Sequence, residues 1–342
     1  MATRPVEPPD AASAGALARE LVERHGTDTL SFFKLRPDVA RLFADDGSAF
    51  LGYATRGRTM LAGGDPVGPP EAVGGLIAQA RAHARARGMR FGVLGASEAA
   101  RAALETAGMR ALYIGDEAIV ETAAFSLAGQ RMRKLRKPLH RFTRAGYRVA
   151  LRRLGDLSEP ELAELEALAE RARDGRAEES FAWAMDGLRG AHQADCVVVV
   201  GRGPDGVAHG LLHFVPTYGR SAMSLSLMRR DPDAPNGLID FLLVSAISLL
   251  RDRGIDEVSL NFAAFARWLR EPANLRERVG ARGVHVASRF IQMESLLFFN
   301  AKFRPRWEPR YLMYERRSGL LATGIAAMRV EGQTGRKRFR TP

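Results

Sequence analysis

The chain has 342 residues, 46% apolar and 26% charged, which suits a soluble globular protein of about two domains and excludes a disordered or fibrous one. Its 51 Lys and Arg against 39 Asp and Glu give a formal net charge of +12, which favours a polyanionic partner, either nucleic acid or an anionic membrane surface. A single cysteine, Cys196, excludes a disulfide framework or a cysteine zinc site, and the neighbouring Val197 to Val200 mark it as a buried core thiol.

The amino-terminal stretch is Pro-rich and polar, then Ala-rich, without the basic start and apolar run of a signal peptide. Phe50 to Tyr53 and Thr59 to Ala62 read as short strands around a turn at Arg56-Gly57, broken by Gly63-Gly64-Asp65-Pro66. From Glu71, apolar residues at Val73, Leu76, Ile77 and Ala80 follow a helical period that Gly88 ends. Phe91 to Leu94 is strand-like, Ser97 caps a helix through Thr106, and Leu112 to Ile114 and Ile119 to Val120 are extended.

The second half repeats this pattern. Arg148 to Leu154 is extended, and Glu161 to Ala172 is helical with Leu162, Leu165, Leu168 and Ala169 on one face. Cys196 to Val200 and Val207 to Phe214 form a hairpin, Ser221 to Met228 is a strand, Leu238 to Arg253 a helix and Val258 to Asn261 a strand. The apolar run Leu238 to Leu250 is too short to span a bilayer and contains Asp240. A cytoplasmic protein is expected, with any membrane contact peripheral. Two similar α/β units suggest a tandem duplication, while residues 1–27 and 319–342 read as less ordered, the latter ending in the basic string Arg336-Lys337-Arg338-Phe339-Arg340.

Several motifs fail on context. Gly201-Arg202-Gly203-Pro204-Asp205-Gly206 matches a dinucleotide fingerprint, but a strand follows it where a phosphate-binding helix is needed, so it reads as a hairpin turn. His209 and His213 share a strand face with no third histidine near in sequence, which points to two half-buried histidines and no metal. No serine-hydrolase elbow or Walker loop is present.

One charge feature carries function. Thr122 to Gly155 holds ten cations and no acid, whereas a solvated helix ordinarily mixes signs. Arg131, Arg133, Lys134, Arg136, Lys137, Arg141 and Arg144 therefore read as a phosphate-contacting face. A second dense segment, Phe290 to Tyr314, interleaves aromatics with Lys302, Arg304, Arg306 and Arg310 around Trp307. An amphipathic helix followed by a Pro-bounded strand accounts for much of it, but not for four cations so close to Trp307.

The strings Ser224-Leu225-Ser226-Leu227-Met228-Arg229-Arg230-Asp231, Asn236-Gly237-Leu238, Ser259-Leu260-Asn261-Phe262-Ala263 and Asn300-Ala301-Lys302-Phe303-Arg304-Pro305-Arg306-Trp307 resemble the carboxy-terminal synthase domain of bacterial phosphatidylglycerol lysyltransferases, also called DUF2156. Ser31-Phe32-Phe33-Lys34-Leu35-Arg36-Pro37, Gly64-Asp65-Pro66-Val67-Gly68, Gly95-Ala96-Ser97-Glu98 and Gly115-Asp116-Glu117-Ala118 extend the resemblance from about Asp28 to Tyr314. It implies an α/β fold of mixed sheets, with two tandem acetyltransferase-like (GNAT) domains related to the Fem peptidyltransferases. The corresponding division is an arm at 1–27, domains at 28–125 and 126–318, and a basic tail at 319–342.

The resemblance also implies transfer of an amino acid from aminoacyl-tRNA to a hydroxyl, in most members that of a phospholipid. Because the aminoacyl ester is already activated, the enzyme has mainly to align the partners and stabilise a tetrahedral oxyanion. Arg229 and Lys302 are the expected cations, and Asp240 and Glu294 the expected carboxylates near the amino acid's ammonium group. Ser226, Asn261, Trp307 and Arg310 are the expected substrate contacts. No cofactor is expected, since the Arg-x-x-Gly-x-Gly/Ala pyrophosphate loop of acetyl-CoA enzymes is not found.

Where many members read Asp-Leu-Met-Arg, this chain has Ser226-Leu227-Met228-Arg229. The change removes a charge-assisted hydrogen bond of about 1.5–3 kcal/mol and leaves amino acid and acceptor open. A lipid hydroxyl is the leading acceptor, and a small hydroxyl or hydroxylamine of natural-product biosynthesis the alternative. A non-catalytic tRNA- or membrane-binding module is the reading from another class.

Overall fold

A computed structural model describes residues 11–173, 182–264, 290–315 and 319–330. In chain order these form α1 (Ala11–His25), β1 (Ala40–Phe43), β2 (Phe50–Arg56), β3 (Thr59–Gly63), α2 (Pro70–Ala86), β4 (Arg90–Ala96), α3 (Glu98–Thr106) and β5 (Arg110–Glu121). The second half runs α4 (Arg133–Arg144), β6 (Arg148–Arg153), α5 (Glu159–Arg173), β7 (Val197–Arg202), β8 (Ala208–Thr217), β9 (Ala222–Arg230), α6 (Leu238–Arg251) and β10 (Glu257–Ala264). It closes with α7 (Phe290–Ala301), β11 (Arg306–Tyr314) and α8 (Leu320–Val330).

All the strands join one sheet, in the order β1-β2-β3-β4-β11-β5-β10-β9-β8-β7-β6. The halves match: β1-β2-β3 and β7-β8-β9 are antiparallel runs, and β3–β4 and β9–β10 are parallel pairs crossed by α2 and α6. Each half then places its last strand in the other. The final strand β11 lies between β4 and β5, antiparallel to both, and β5 pairs with β10. The expected acetyltransferase-like α/β architecture with internal duplication is the one observed.

Packing explains the sequence patterns. In β8, Leu212 and Phe214 enter the core beneath α4 and α6, while Leu211 and Val215 enter the core beneath α1 and α5. A strand buried on both faces reads as a continuous apolar run, as the hairpin segments do. Cys196 is fully buried, and Gly203-Pro204-Asp205-Gly206 makes the hairpin turn, closed by the Gly203 amide donating to the Val207 carbonyl at 3.0 Å. The Ser97 hydroxyl caps α3 by accepting from the Ala100 amide.

Two expectations change. Residues 11–25 and 320–330, read as less ordered, are helices: Ala18, Leu21 and Val22 join one core, and Ala327 and Val330 another. Small alanines gave these faces little apolar signal. His213 is wholly buried, not half-buried. The basic string 336–340 lies outside the described residues.

Candidate active site and polyanion-binding face

The parallel ladder between β9 and β10 runs only from Ala222 and Glu257 to Ser224 and Ser259. Beyond it β10 bulges, and Asn261 takes a left-handed conformation with φ of 73°. Its amide reaches across the split, donating to the Leu225 and Ala184 carbonyls, each at 3.3 Å. The Ser226 hydroxyl accepts from the Asp186 amide at 2.9 Å. The two expected substrate contacts, Ser226 and Asn261, are thus brought together on one chain segment, residues 184–186, which Arg36 also holds through the Met185 carbonyl at 2.7 Å. Asp186 in turn meets His192 Nε2 at 2.9 Å. Burial pushes the nearby His213 imidazole down to about 4, so it is neutral.

The second pair lies at the start of α6. Lys302, at the end of the α7 turn, sets its ammonium 3.0 and 3.1 Å from the two oxygens of Asp240 and 4.7 Å from the Phe299 ring. Asp240 belongs to the first turn of α6, where the helix dipole favours a carboxylate. Both side chains keep a solvent-facing edge, 31% for Lys302 and 14% for Asp240. Arg229 sits beyond the strand split, opposite Leu211, and donates to the Met228 carbonyl at 3.2 Å. Trp307 packs partly buried between the α6 core and Leu297. Glu294 lies in the part of α7 whose side chains are outside the described residues.

The basic helix α4 abuts the residues that lead into α6. Pro138 and Arg141 lie against Gly237, which has φ of 89° and precedes α6. Arg141 also donates to the Asn236 carbonyl, and its guanidinium covers the Phe142 ring at 4.7 Å. At about 3.6 residues per turn, Leu135 and Phe142 face the core while Arg133, Lys137, Arg141 and Arg144 line the opposite side. Arg131, Arg133, Lys134, Lys137, Arg141 and Arg144 are all exposed. Arg136 is half-buried and holds the Leu127 and Gly129 carbonyls. The run divides at its end, because Arg152 and Arg153 meet Glu161 and Asp195 at 3.3 and 2.8 Å. Helix α4 has no acid in its first turn and no side-chain cap, with Arg133 and Lys134 at the positive end of its dipole. Such cations cost a helix a few tenths of a kcal/mol each, which an anionic ligand would reverse.

Arg310, expected to touch substrate, is instead sealed inside, with 5% of its side chain exposed. It donates to both Glu117 and Asp28, the latter at 2.7 Å, to Thr29 Oγ1 at 2.8 Å and to the Gly95 carbonyl at 3.1 Å. Glu117 accepts from the Ser259 hydroxyl at 2.5 Å, Asp28 from the Asp65 amide at 3.0 Å, and Asp65 from the Ser97 amide and hydroxyl. The buried Lys34 ammonium lies in the field of Asp28 and Asp65. This buried ionic seam joins β11 to β5, β10 and the turn after α1. Arg306 is likewise structural, bridging Glu121, Glu257 and Glu308. Sequence reading singled out neither the seam nor Asp186. Among the described residues no group of three or more His, Cys, Asp or Glu is placed to hold a metal ion.

The seam has a pH signature. Burial and the Asp28 charge push the Asp65 carboxyl up to about 6. Burial alone would raise Asp28 too, but Arg310 and Lys34 outweigh it and hold Asp28 below its usual value. Between about pH 4 and 6 the folded chain therefore keeps a proton on Asp65 that the unfolded chain, with a carboxyl pKa near 3.9, has lost. This group stabilises the fold as pH falls toward 4. Asp28 acts oppositely, and its contribution is lost as pH falls further, through its folded pKa. Asp65→Asn is expected to flatten the dependence of urea stability on pH between 4 and 6 and to leave the loss below 4. An unchanged profile would show that Asp65 ionises normally.

The profile of the family described as phosphatidylglycerol lysyltransferase, C-terminal, matches residues 19–314. A bifunctional lysylphosphatidylglycerol biosynthesis protein, LysX, of Rhodococcus jostii is 38% identical over 333 residues, 95% of this chain and 29% of its own length. Its namesake from Mycobacterium marinum is 37% identical over 320 residues, 92% of this chain and 29% of its own. The chain thus spans less than a third of these relatives. Among solved structures, a DUF2156 domain from Agrobacterium fabrum superposes with a TM-score of 0.80 at 26% identity, covering 95% of this chain and 99% of that one. L-PGS from Bacillus licheniformis shares the fold with a TM-score of 0.81 at 22% identity, over 98% and 100% of the two chains. FemX does so at 0.54 and 9% identity, over 90% and 98%.

Proposed function

Because the chain belongs to the phosphatidylglycerol lysyltransferase C-terminal family, we propose that it transfers an amino acid from aminoacyl-tRNA to a hydroxyl of phosphatidylglycerol or a related lipid. The observation that carries the reading is the contact of α4 with the start of α6, the helix whose first turn holds Asp240. Through Pro138, Arg141 and Gly237, an exposed, acid-free cationic face runs up to the helix start that holds a half-buried ammonium–carboxylate pair. The face fits a phosphate backbone, and the pair fits the aminoacyl end that such a backbone delivers.

In this mechanism the acceptor hydroxyl attacks the ester carbonyl directly. Its oxygen bonds to the carbonyl carbon, the bond to the tRNA ribose oxygen breaks, and the proton leaving the hydroxyl ends on that ribose oxygen. One ester replaces another, so no oxidant, metal or net acid is required. Lys302 donates to the oxyanion, with Asp240 fixing its direction and offering the amino acid's ammonium group a negative neighbour. Arg229, past the split of β9 and β10, is the second cation for oxyanion or headgroup phosphate. Acetyl-CoA has no part in this reading, since the sequence lacks the Arg-x-x-Gly-x-Gly/Ala loop.

Reversing the charges of Arg133, Lys134 and Lys137 to Glu is expected to weaken tRNA binding and to reduce the slope of log Kd against log salt by about 3, near 0.9 per phosphate contact for a duplex and less for a single strand. Filter binding between low and moderate salt reads this directly, and an unchanged slope would remove α4 from the tRNA interface. A small hydroxyl or hydroxylamine acceptor is the second reading, favoured by the uncharged Ser226 where many relatives carry a carboxylate. Extraction of the labelled product into organic or aqueous phase separates the two.

A further inference from the structure

We propose that Asn300 is a positioning residue, which sets where the Lys302 ammonium stands relative to the split between β9 and β10. The kinetic consequence of that role rests on the transferase reading above, and its geometric consequence does not.

The split begins at a defect in β10. Its register with β5 passes from Ser259–Ile119 to Phe262–Glu117, so β10 holds one residue more than its partner there, and its ladder with β9 stops at Ser259. A bulge of this kind takes backbone groups out of the ladder, and buried groups so released need other partners. Side chains supply them here. The backbone N–H of Asn261 donates to Ser259 Oγ at 3.1 Å, and that of Phe262 to Asn261 Oδ1 at 2.8 Å. Ser259 in turn donates to Glu117, which Arg310 holds. The Leu260 carbonyl accepts from the Asn300 side-chain amide at 3.3 Å, and both residues are 1% exposed.

Asn300 lies in the last turn of α7, just ahead of Lys302. The backbone N–H groups of Lys302, Phe303 and Arg304 close that turn on the Phe299, Asn300 and Ala301 carbonyls at 3.3, 3.0 and 3.2 Å. Arg304 then turns the chain away with φ of 54°. Phe303 is buried against Phe299 and Phe125, with ring centroids 5.7 and 6.4 Å apart. Lys302 is thus carried between two fixed side chains, Asn300 on the bulge and Phe303 in the core beneath α6. Side chains two apart on a helical turn point to different sides, so Asn300 faces the sheet while Lys302 reaches Asp240. A long lysine stem places its ammonium reproducibly only from a fixed backbone, and misplacing a reacting group by about 1 Å costs about a hundredfold in rate.

The test is NMR of the full chain labelled at lysine Cε, together with single-turnover transfer. The chain has five lysines, so Lys302→Met identifies the Lys302 signal, which the Phe299 ring 4.7 Å from its ammonium sets apart from those of exposed lysines. Asn300→Leu keeps the volume and removes the donor. It is expected to move the Lys302 signal to the position of the exposed lysines and to slow transfer about tenfold at parent affinity for aminoacyl-tRNA. Added to Lys302→Met, it should slow transfer by less than about twofold more, because it acts through Lys302. Thr122→Val is the control. It removes a buried donor to the Ile255 carbonyl, 2.6 Å away just before β10, and should lose similar stability while moving neither signal nor rate. Asn300→Ala carries the same test where leucine is not accommodated, since a water can satisfy the carbonyl without holding α7. An unmoved Lys302 signal overturns the proposal, as does the same shift in Thr122→Val, which would mark a general loosening of the fold. A chain that transfers nothing while its Lys302 signal still depends on Asn300 would leave the positioning role standing and remove the transferase reading.

Discussion

Replacing Lys302 by methionine is expected to lower kcat for aminoacyl transfer by about 10²–10³-fold, the usual cost of removing one oxyanion donor. The side chain keeps its length and its packing on Phe299, so only the charge is lost. Its pair with Asp240 is partly solvated, and such pairs add about 1 kcal/mol or less to stability, so the unfolding midpoint should move little. Asp240→Asn should cost less in rate, about tenfold, because an amide still accepts one hydrogen bond from the ammonium and only its charge disappears. A positioning role for Asp240 and a direct role for Lys302 thus predict an ordered series, read in single-turnover kinetics with saturating aminoacyl-tRNA. Equal losses with a fallen midpoint would mean that the pair serves the fold, and near-parent rates in Lys302→Met would remove it from the chemistry.

The largest stability effect is expected at Arg310. Arg310→Met leaves Asp28 and Glu117 buried without their counter-charge, and breaking a buried ionic group in this way costs about 3–5 kcal/mol. Arg310→Lys should recover little, because a single ammonium cannot reproduce the fork that reaches Glu117, Asp28, Thr29 and the Gly95 carbonyl at once. Adding Asp28→Asn and Glu117→Gln to Arg310→Met should return a substantial part of the loss, since the orphaned charges go with the cation. Urea titration of the four proteins measures this directly. An Arg310→Met variant of parent stability that fails only in substrate binding would restore the residue to the substrate site.

These two residues show what could be read from the sequence. The strands around the hairpin, the α3 cap and the basic face of α4 were legible because each depends on local pattern: a continuous apolar run, a Ser before a helix, ten cations without an acid. Lys302 and Asp240 were both chosen from strings 62 residues apart, but their pairing depends on how α7 ends against the start of α6, which no local signal encodes. Arg310 looked like a substrate contact because cations crowd Trp307. Its true partners, Asp28 and Glu117, come from 282 and 193 positions away and meet it only because β11 is inserted between β4 and β5. That exchange of last strands was invisible, since a strand's sequence shows its burial and not its neighbour. Helix α8 was missed for a related reason: an alanine-rich inner face gave weak periodicity, and its apolar outer face blurred what remained.

The central claim is that this chain moves an amino acid from tRNA to a lipid hydroxyl. It is tested most directly by incubating the purified protein with a panel of labelled aminoacyl-tRNAs and phosphatidylglycerol vesicles, then extracting lipid. The account predicts label in the lipid phase for one or a few amino acids, abolished by Lys302→Met and by alkaline cleavage of the ester. Label that leaves tRNA only when a soluble metabolite extract replaces the vesicles, or never leaves it, would contradict it.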